Sequence, residues 1–223
     1  MPRIARGTGE GLTYHVINRG NGRQKIFHKD GDYQAFIELL VDAGKRFDVI
    51  SMLSYCLMPN HFHLLVQASQ AELLSQWMQW IMTSHVRRYH RHYGTSGHIW
   101  QGRYKSFIVQ SDEHLLTVMR YIEGNPVRAG IVGSAGGWQW SSHQARIGKV
   151  KERIYNETLL PLPEAWTEYV DTPMTDAEIE KVRTSVNRQS PFGSDEWQQQ
   201  TIARLGLEST VRRRGRPWDN SVK

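Results

Sequence analysis

The sequence predicts an α+β protein: a ferredoxin-like core of the split βαβ type, RRM-like in connectivity, with an antiparallel sheet, an extra helix and a helical C-terminal extension ending in a basic tail. Two β-prone runs, residues 49–57 and 61–67, meet at Met58-Pro59-Asn60, where Pro and Asn favour a tight turn, so they read as a hairpin. Helical apolar stripes lie on both sides of that hairpin, and outer strands complete the order β, α, β, β, α, β. The chain has 223 residues, 39% hydrophobic, with eight Trp and nine Tyr, enough apolar surface for a substantial core.

Each element has a local cause. Thr13 to Arg19 (TYHVINR) alternates and is β-rich, and Gly20-Asn21-Gly22 turns the chain after it. Residues 33–47 carry Phe36, Ile37, Leu39, Leu40 and Val41 near helical spacing, with Asp30 or Asp32 as N-cap. Beyond the hairpin, Ala71 to Tyr93 bears a stripe of Leu73, Leu74, Trp77, Trp80, Ile81 and Met82 that gives way to the basic, aromatic tip HVRRYHRHY. His98 to Gln110 reads as the last strand. Ser111 then caps a helix running to about Asn125, where Pro126 limits it. This organisation predicts a core domain over 1–136 and a helical extension over 137–206. The extension holds a capping box at Thr175 to Glu178 and an N-cap at Ser194 before a helix stopped near Gly206. Residues 207–223, ending VRRRGRPWDNSVK, have no apolar period and read as a flexible basic tail.

A formal net charge of +6, with ten further His, favours an anionic partner, nucleic acid foremost. The start, MPRIARGTGEGLTY, has no apolar signal core, and no apolar run approaches the roughly 18 residues a membrane span needs. A cytoplasmic protein is expected. Cys56 is the single cysteine, which rules out an intramolecular disulfide and a cysteine-rich metal finger.

The chemistry gathers at MPNHFHLLV, residues 58–66. Residues i and i+2 of a strand share a face, so His61 and His63 stand side by side while Phe62 points away. Neutral imidazoles held at fixed separation begin a metal site, although the same pattern also describes two half-buried polar residues. Tyr121 and Asn125, four apart on the helix after Ser111, share a stripe with His114. A carboxamide oxygen is able to join two imidazoles around a hard cation, and a phenol beside it to attack a metal-polarised phosphate. Core packing for Tyr121 and a C-cap for Asn125 are the plain alternatives.

MPNHFHLLV, the GRYKSF strand and the YIEGNPVRAGIV helix end, in that order, resemble the REP-associated tyrosine transposases, a branch of the HUH single-strand endonucleases related to single-tyrosine insertion-sequence transposases. The similarity spans about residues 12 to 145, and WQWSSHQARIG is similar to the segment that follows in that group. The resemblance implies a metal-dependent enzyme that nicks and rejoins single-stranded DNA at REP-type palindromic hairpins through a covalent 5′-phosphotyrosine. Position by position it makes Tyr121 the nucleophile and His61, His63 and Asn125 the ligands of a divalent metal, Mg²⁺ or Mn²⁺. Asn125 stands where insertion-sequence relatives carry Gln, shortening that ligand by one methylene. His114 is a possible proton carrier and Tyr104 the competing nucleophile. The resemblance also implies a monomer, with a dimer as the alternative, since insertion-sequence relatives pair their active sites across one.

For DNA, Arg87, Arg88 and Arg91, interleaved with Tyr89 and Tyr93, offer phosphate contacts and stacking surfaces. Arg103 and Lys105 add charge, and Arg19 lies where relatives contact a guide sequence. Arg212, Arg213, Arg214 and Arg216 in RRRGRP resemble a minor-groove hook, a DNA contact to which a clamp on the hairpin stem and a fold back over the active site are the alternatives. Two rival functions use the same residues: a sequence-specific nucleic-acid-binding regulator without chemistry, and a protein whose histidine pair serves only structure.

Overall fold

The computed structural model describes residues 7, 9–48, 50–149, 154–158 and 160–212. Its centre is a four-stranded sheet of β1 (Leu12–Arg19), β2 (Ile50–Met58), β3 (His61–Ala68) and β4 (Lys105–Val109). The strand order is β2-β3-β1-β4, and every neighbour is antiparallel. The protein is thus a mixed α/β fold around an antiparallel sheet.

Strand alternation divides the side chains between two faces. Tyr14, Val16, Phe62, Leu64, Val66 and Ile108 pack on one side with Phe36 and Leu40 of α1 (Asp30–Arg46) and with Leu74, Trp77 and Ile81 of α2 (Ala71–Tyr93). The opposite face presents Cys56, Met58, Leu65, Phe107 and Val109 to Leu115, Val118, Met119 and Ile122 of α3 (Glu113–Glu123). A bulge between Met52 and Ser54 re-phases β2, so Ser54 lies opposite Leu65 and faces α3.

The chain after residue 137 closes both sheet edges. Leu57 N donates to Trp140 O at 2.8 Å on the β2 edge, while on the β4 side Gln110 N donates to Phe192 O at 2.9 Å and Phe192 N donates to Ile108 O at 2.8 Å. Edge amides that would otherwise be open to another chain are thereby paired. This region contributes α5 (Ser142–Arg146), α6 (Trp166–Asp171), α7 (Asp176–Arg188) and α8 (Asp195–Leu205). The expected capping box at Thr175 and Glu178, the Ser194 cap and the Gly206 stop are all present. The long helix spans 71–93 as its stripe predicts, and Gly94 ends it at φ 61°, where a side chain would be strained.

Four local expectations are corrected. The last strand covers Lys105–Val109 rather than 98–110. Ile99 and Trp100 are apolar because they fill the α1/α2 core, and Gly102 at φ 135° takes their segment off the strand path. The first helix begins at Asp30, three residues early, because the Asp32 carboxylate turns back to accept the N–H groups of His28 and Lys29. Asp112, not Ser111, caps α3, accepting from His114 N at 2.9 Å. Finally, α3 stops at Glu123, and a short α4 (Asn125–Arg128) restarts after Gly124 because Pro126 has no N–H to continue the ladder. A Cβ on Gly124 would stand 3.0 Å from Arg120 O and 3.2 Å from both an Arg128 nitrogen and Val170 O.

Within the α1/α2 core, His85 is buried among Phe27, Phe36 and Trp100, and among the described residues its Nδ1 has no hydrogen-bond partner. Burial lowers its pKa to about 4, against an upward pull from Asp32 and with a further push from Arg88. Between pH 6.5 and about 4 the unfolded chain therefore binds the proton that folded His85 refuses, and stability falls with pH across that window. His85→Phe is expected to flatten the loss, by roughly 2 kcal/mol between pH 6.5 and 5, as read from urea unfolding at the two pH values.

Candidate active site

The α3 face of the sheet carries the histidines. His61 pairs with Arg19 and with Met58 across the strands, and His63 with Ile17 and Cys56. Their rings stand 5.0 Å apart at 79°. The turn between the strands sets the protonation of the first. Asn60 Nδ2 donates to Arg23 O at 3.1 Å, which turns Asn60 Oδ1 toward His61 Nδ1 at 2.6 Å. An amide oxygen only accepts, so the His61 proton sits on Nδ1 and Nε2 is bare. Burial and the Arg19 charge hold its pKa down at about 4, and burial with the neighbouring His15, His61, Arg128 and Arg19 charges holds His63 well below the usual range. Both rings are neutral at pH 7, the state a cation ligand requires.

The structure brings Tyr121 to this pair from the other layer. Its ring stands edge-on to His63 at 5.8 Å and to His15 at 6.3 Å. Tyr121 is buried, and among the described residues its hydroxyl makes no hydrogen bond. The break at Gly124 adds a group the sequence reading missed. Tyr121 O belongs to the last turn of α3, where carbonyls lack helical partners, and Arg128 Nη2 donates to it. That bond lays the Arg128 guanidinium 4.2 Å from the Tyr121 ring centroid, a fixed positive charge beside the phenol. Asn125, the first residue of α4, is half-buried and tied through its own carbonyl to Ala129 N at 2.9 Å. Tyr121 and Asn125 therefore belong to two successive helices rather than to one stripe.

Two expected participants lie elsewhere. Tyr104 is buried in the α1/α2 core on the far side of the sheet, with its hydroxyl 3.2 Å from Ser75 Oγ. His114 sits at the start of α3, bonded through Nδ1 to Asp112 Oδ1 at 2.8 Å. Asp112, Glu113 and His114 are also close enough together to share a cation. Asp112 Oδ1, however, already accepts from both His114 N and His114 Nδ1 as the cap of α3.

Comparison with known proteins settles the family. The family model described as "Transposase IS200 like" matches residues 8–125, which span the sheet, both histidines, Tyr121 and Asn125. This chain belongs to the IS200-like transposases. A Haemophilus influenzae protein named as a REP-associated tyrosine transposase is 31% identical over 114 residues, 46% of this chain and 62% of that protein, so the match spans less than two thirds of the relative. A solved structure of a REP-associated tyrosine transposase bound to a REP hairpin shares the fold, with a TM-score of 0.56 at 18% identity, over 74% of this chain and 96% of that one.

In this IS200-like transposase the end of α3 is locked by a buried carboxylate. Glu123 is wholly inaccessible and accepts from Ser54 Oγ (3.0 Å), His143 Nδ1 (3.0 Å), Arg146 Nε (2.9 Å), Trp166 Nε1 (2.8 Å) and Ser142 Oγ (2.5 Å). Burial alone would push its carboxyl up. The bonds and charges of His143, Arg146 and Ser142 more than reverse that, to about 2.

Arg19, Arg87, Arg103 and Lys105 fall on two grooves that share Arg103. One, of about 310 Å³, is lined by Ile17, Arg19, Arg103 and Lys105 and reaches the His61 end of the sheet through Arg19. The other, of about 790 Å³, runs between α2 and residues 97–104 and includes Arg87, Arg103, Trp100 and Tyr104. Arg88 pairs with Glu38 at 3.5 Å, and Arg91 is exposed near the tip of α2. Arg212 is exposed, and its carbonyl accepts from Arg188 Nη1 at 2.9 Å. Arg213, Arg214 and Arg216 lie outside the described residues. No described helix is long and apolar enough to cross a membrane.

Proposed function

We propose that this chain is a metal-dependent nicking and strand-transfer enzyme for single-stranded DNA carrying REP-type hairpins, with Tyr121 as nucleophile and His61, His63 and Asn125 as metal ligands. The observation that carries this reading is the convergence of β3 and α3: the Tyr121 ring lies 5.8 Å from His63, from a different layer of the fold. The core is read as ferredoxin-like, since β3 lies between β1 and β2 and makes β1-α1-β2 a split βαβ unit. Residues 1–136 form the catalytic domain, 137–206 the helical extension and 207–223 a basic DNA-binding tail, and the enzyme works as a cytoplasmic monomer.

The donor set suits a divalent cation of the Mg²⁺ or Mn²⁺ type: His61 is neutral with Nε2 bare, His63 is neutral, and the Asn125 carboxamide makes no hydrogen bond among the described residues. Such an ion, when bound, offsets charge on a non-bridging phosphate oxygen. The protein's own groups do the rest. Tyr121 Oη bonds to phosphorus as the bond from phosphorus to the 3′ oxygen breaks; the phenol releases its proton to water, and the 3′ oxygen takes one up from water and leaves as a hydroxyl. The Arg128 guanidinium favours the negative phenolic oxygen as it forms. Because the phosphotyrosine replaces one phosphodiester by another ester, a second 3′-hydroxyl is able to reverse the step without a nucleotide cofactor. Arg19, Arg103, Lys105, Arg87, Arg88, Arg91 and the Arg212 to Arg216 tail hold the strand through its phosphates.

Incubation with Mn²⁺ and end-labelled single-stranded REP-type hairpins should give a protein–DNA band that survives denaturation. EDTA should abolish it and added Mn²⁺ restore it. Tight hairpin binding with no adduct under any divalent ion would leave the regulator reading in its place.

A further inference from the structure

His15, on β1, sits uneconomically in the core. It is completely buried, yet among the described residues its Nδ1 has no hydrogen-bond partner. A buried ring nitrogen without a partner is costly, and an apolar residue would fill the same space without that cost. Its other nitrogen explains what it does there. His15 Nε2 lies 2.8 Å from His63 Nδ1, with the two ring planes within 3° of each other. Phe107 packs edge-on against the His15 ring at 4.8 Å and fixes it from the far side.

We propose that His15 is a positioning residue for His63: its Nε2 accepts the His63 Nδ1 proton and so keeps His63 Nε2 bare and turned toward the cation. The inference rests on the reading of His63 as a metal ligand. Two proton arrangements satisfy the 2.8 Å contact. If His15 donates, the His63 proton must sit on Nε2 and that nitrogen is closed to a metal. If His63 donates, Nε2 is open, and His15 carries its own proton on the partnerless Nδ1. Only the second serves a ligand, and it matches the arrangement at His61, where Asn60 Oδ1 takes the Nδ1 proton at 2.6 Å. Each imidazole is thus held at Nδ1 by a different neighbour, one from the hairpin turn and one from β1. Groups that hold the second nitrogen of a metal-binding histidine in this way typically contribute 10–100-fold to metal affinity.

The test is Mn²⁺ titration of the full chain without DNA, by calorimetry and by the EPR signal of free Mn²⁺, with circular dichroism as the control for folding. His15→Phe should weaken Mn²⁺ by about 10–100-fold. His15→Gln, whose amide oxygen reaches about as far as Nε2, should bind within a few-fold of wild type. ¹⁵N spectra of the metal-free wild type should place the His63 proton on Nδ1, a readout that needs no variant. A His63 proton on Nε2, or equal losses for His15→Phe and His15→Gln in folded proteins, overturns the proposal. Wild-type Mn²⁺ affinity in His63→Ala sinks the metal-ligand reading itself. Loss of affinity in His63→Ala with none in His15→Phe removes only the role of His15.

Discussion

Tyr121→Phe is expected to eliminate the covalent protein–DNA adduct and to lower nicking at least about a thousandfold, equivalent to roughly 4 kcal/mol in the barrier, while hairpin affinity and thermal stability stay near wild type. The substitution removes one oxygen, and that oxygen makes no hydrogen bond among the described residues, so no structural bond goes with it. The ring keeps its packing against His63 and His15 and stays beneath Arg128. Tyr104 is buried on the other face of the sheet, and Tyr14 and Tyr33 belong to that same core. An adduct of undiminished yield from Tyr121→Phe, mapped by peptide sequencing to another residue, would show the phenol assignment to be wrong.

The histidine pair is legible in the sequence because its cause is local: a period of two places His61 and His63 together wherever residues 61–68 are extended, and they are. The long helix and the caps at Thr175 and Ser194 are legible for the same reason. The spacing of Tyr121 and Asn125 puts them on one stripe only along an unbroken helix. Pro126 and the crowded Gly124 break it, and the break frees the Tyr121 carbonyl that recruits Arg128. His15 is a middle case. Alternation puts it on a definite face of TYHVINR, but its closeness to His63 depends on the β1–β3 register, which sets Ile17 opposite His63 and leaves His15 on the diagonal. Register is a long-range property. The groups around Glu123 are further still from local prediction, since its donors come from residues 54, 142, 143, 146 and 166.

That separation makes Glu123 the second large effect. Glu123→Ala is expected to destabilise the protein by about 3–5 kcal/mol, because removal of the carboxylate leaves the Arg146 charge buried without compensation and takes the acceptor from the other donors. Arg146 would be the main casualty: its side chain is 5% exposed and, besides Glu123, bonds Leu53 O on β2. The melting temperature should drop by roughly 6–20 °C, given about 2–4 °C per kcal/mol for a chain of this size. Glu123→Gln keeps the shape and two polar atoms but not the charge, so its loss should be smaller, roughly 1–3 kcal/mol. The sign of the pH dependence separates a charge effect from a packing effect. Folded Glu123 stays ionised to about pH 2 while the unfolded carboxyl titrates near 4.5, so its contribution is complete above 4.5 and is lost as pH falls toward 2. Wild type and Glu123→Gln should therefore differ most near neutral pH and converge in acid, as read by urea unfolding at pH 7 and pH 3. A gap that stays constant with pH would mean that the cluster acts by shape alone. The consequence reaches the active site through the chain itself, since Glu123 lies two residues from both Tyr121 and Asn125 and is bonded to β2, α5 and α6 at once. Loss of that anchor loosens the helix end that carries the phenol before it unfolds the sheet that carries the imidazoles, so Glu123→Gln should lower the nicking rate at temperatures where the protein is still fully folded.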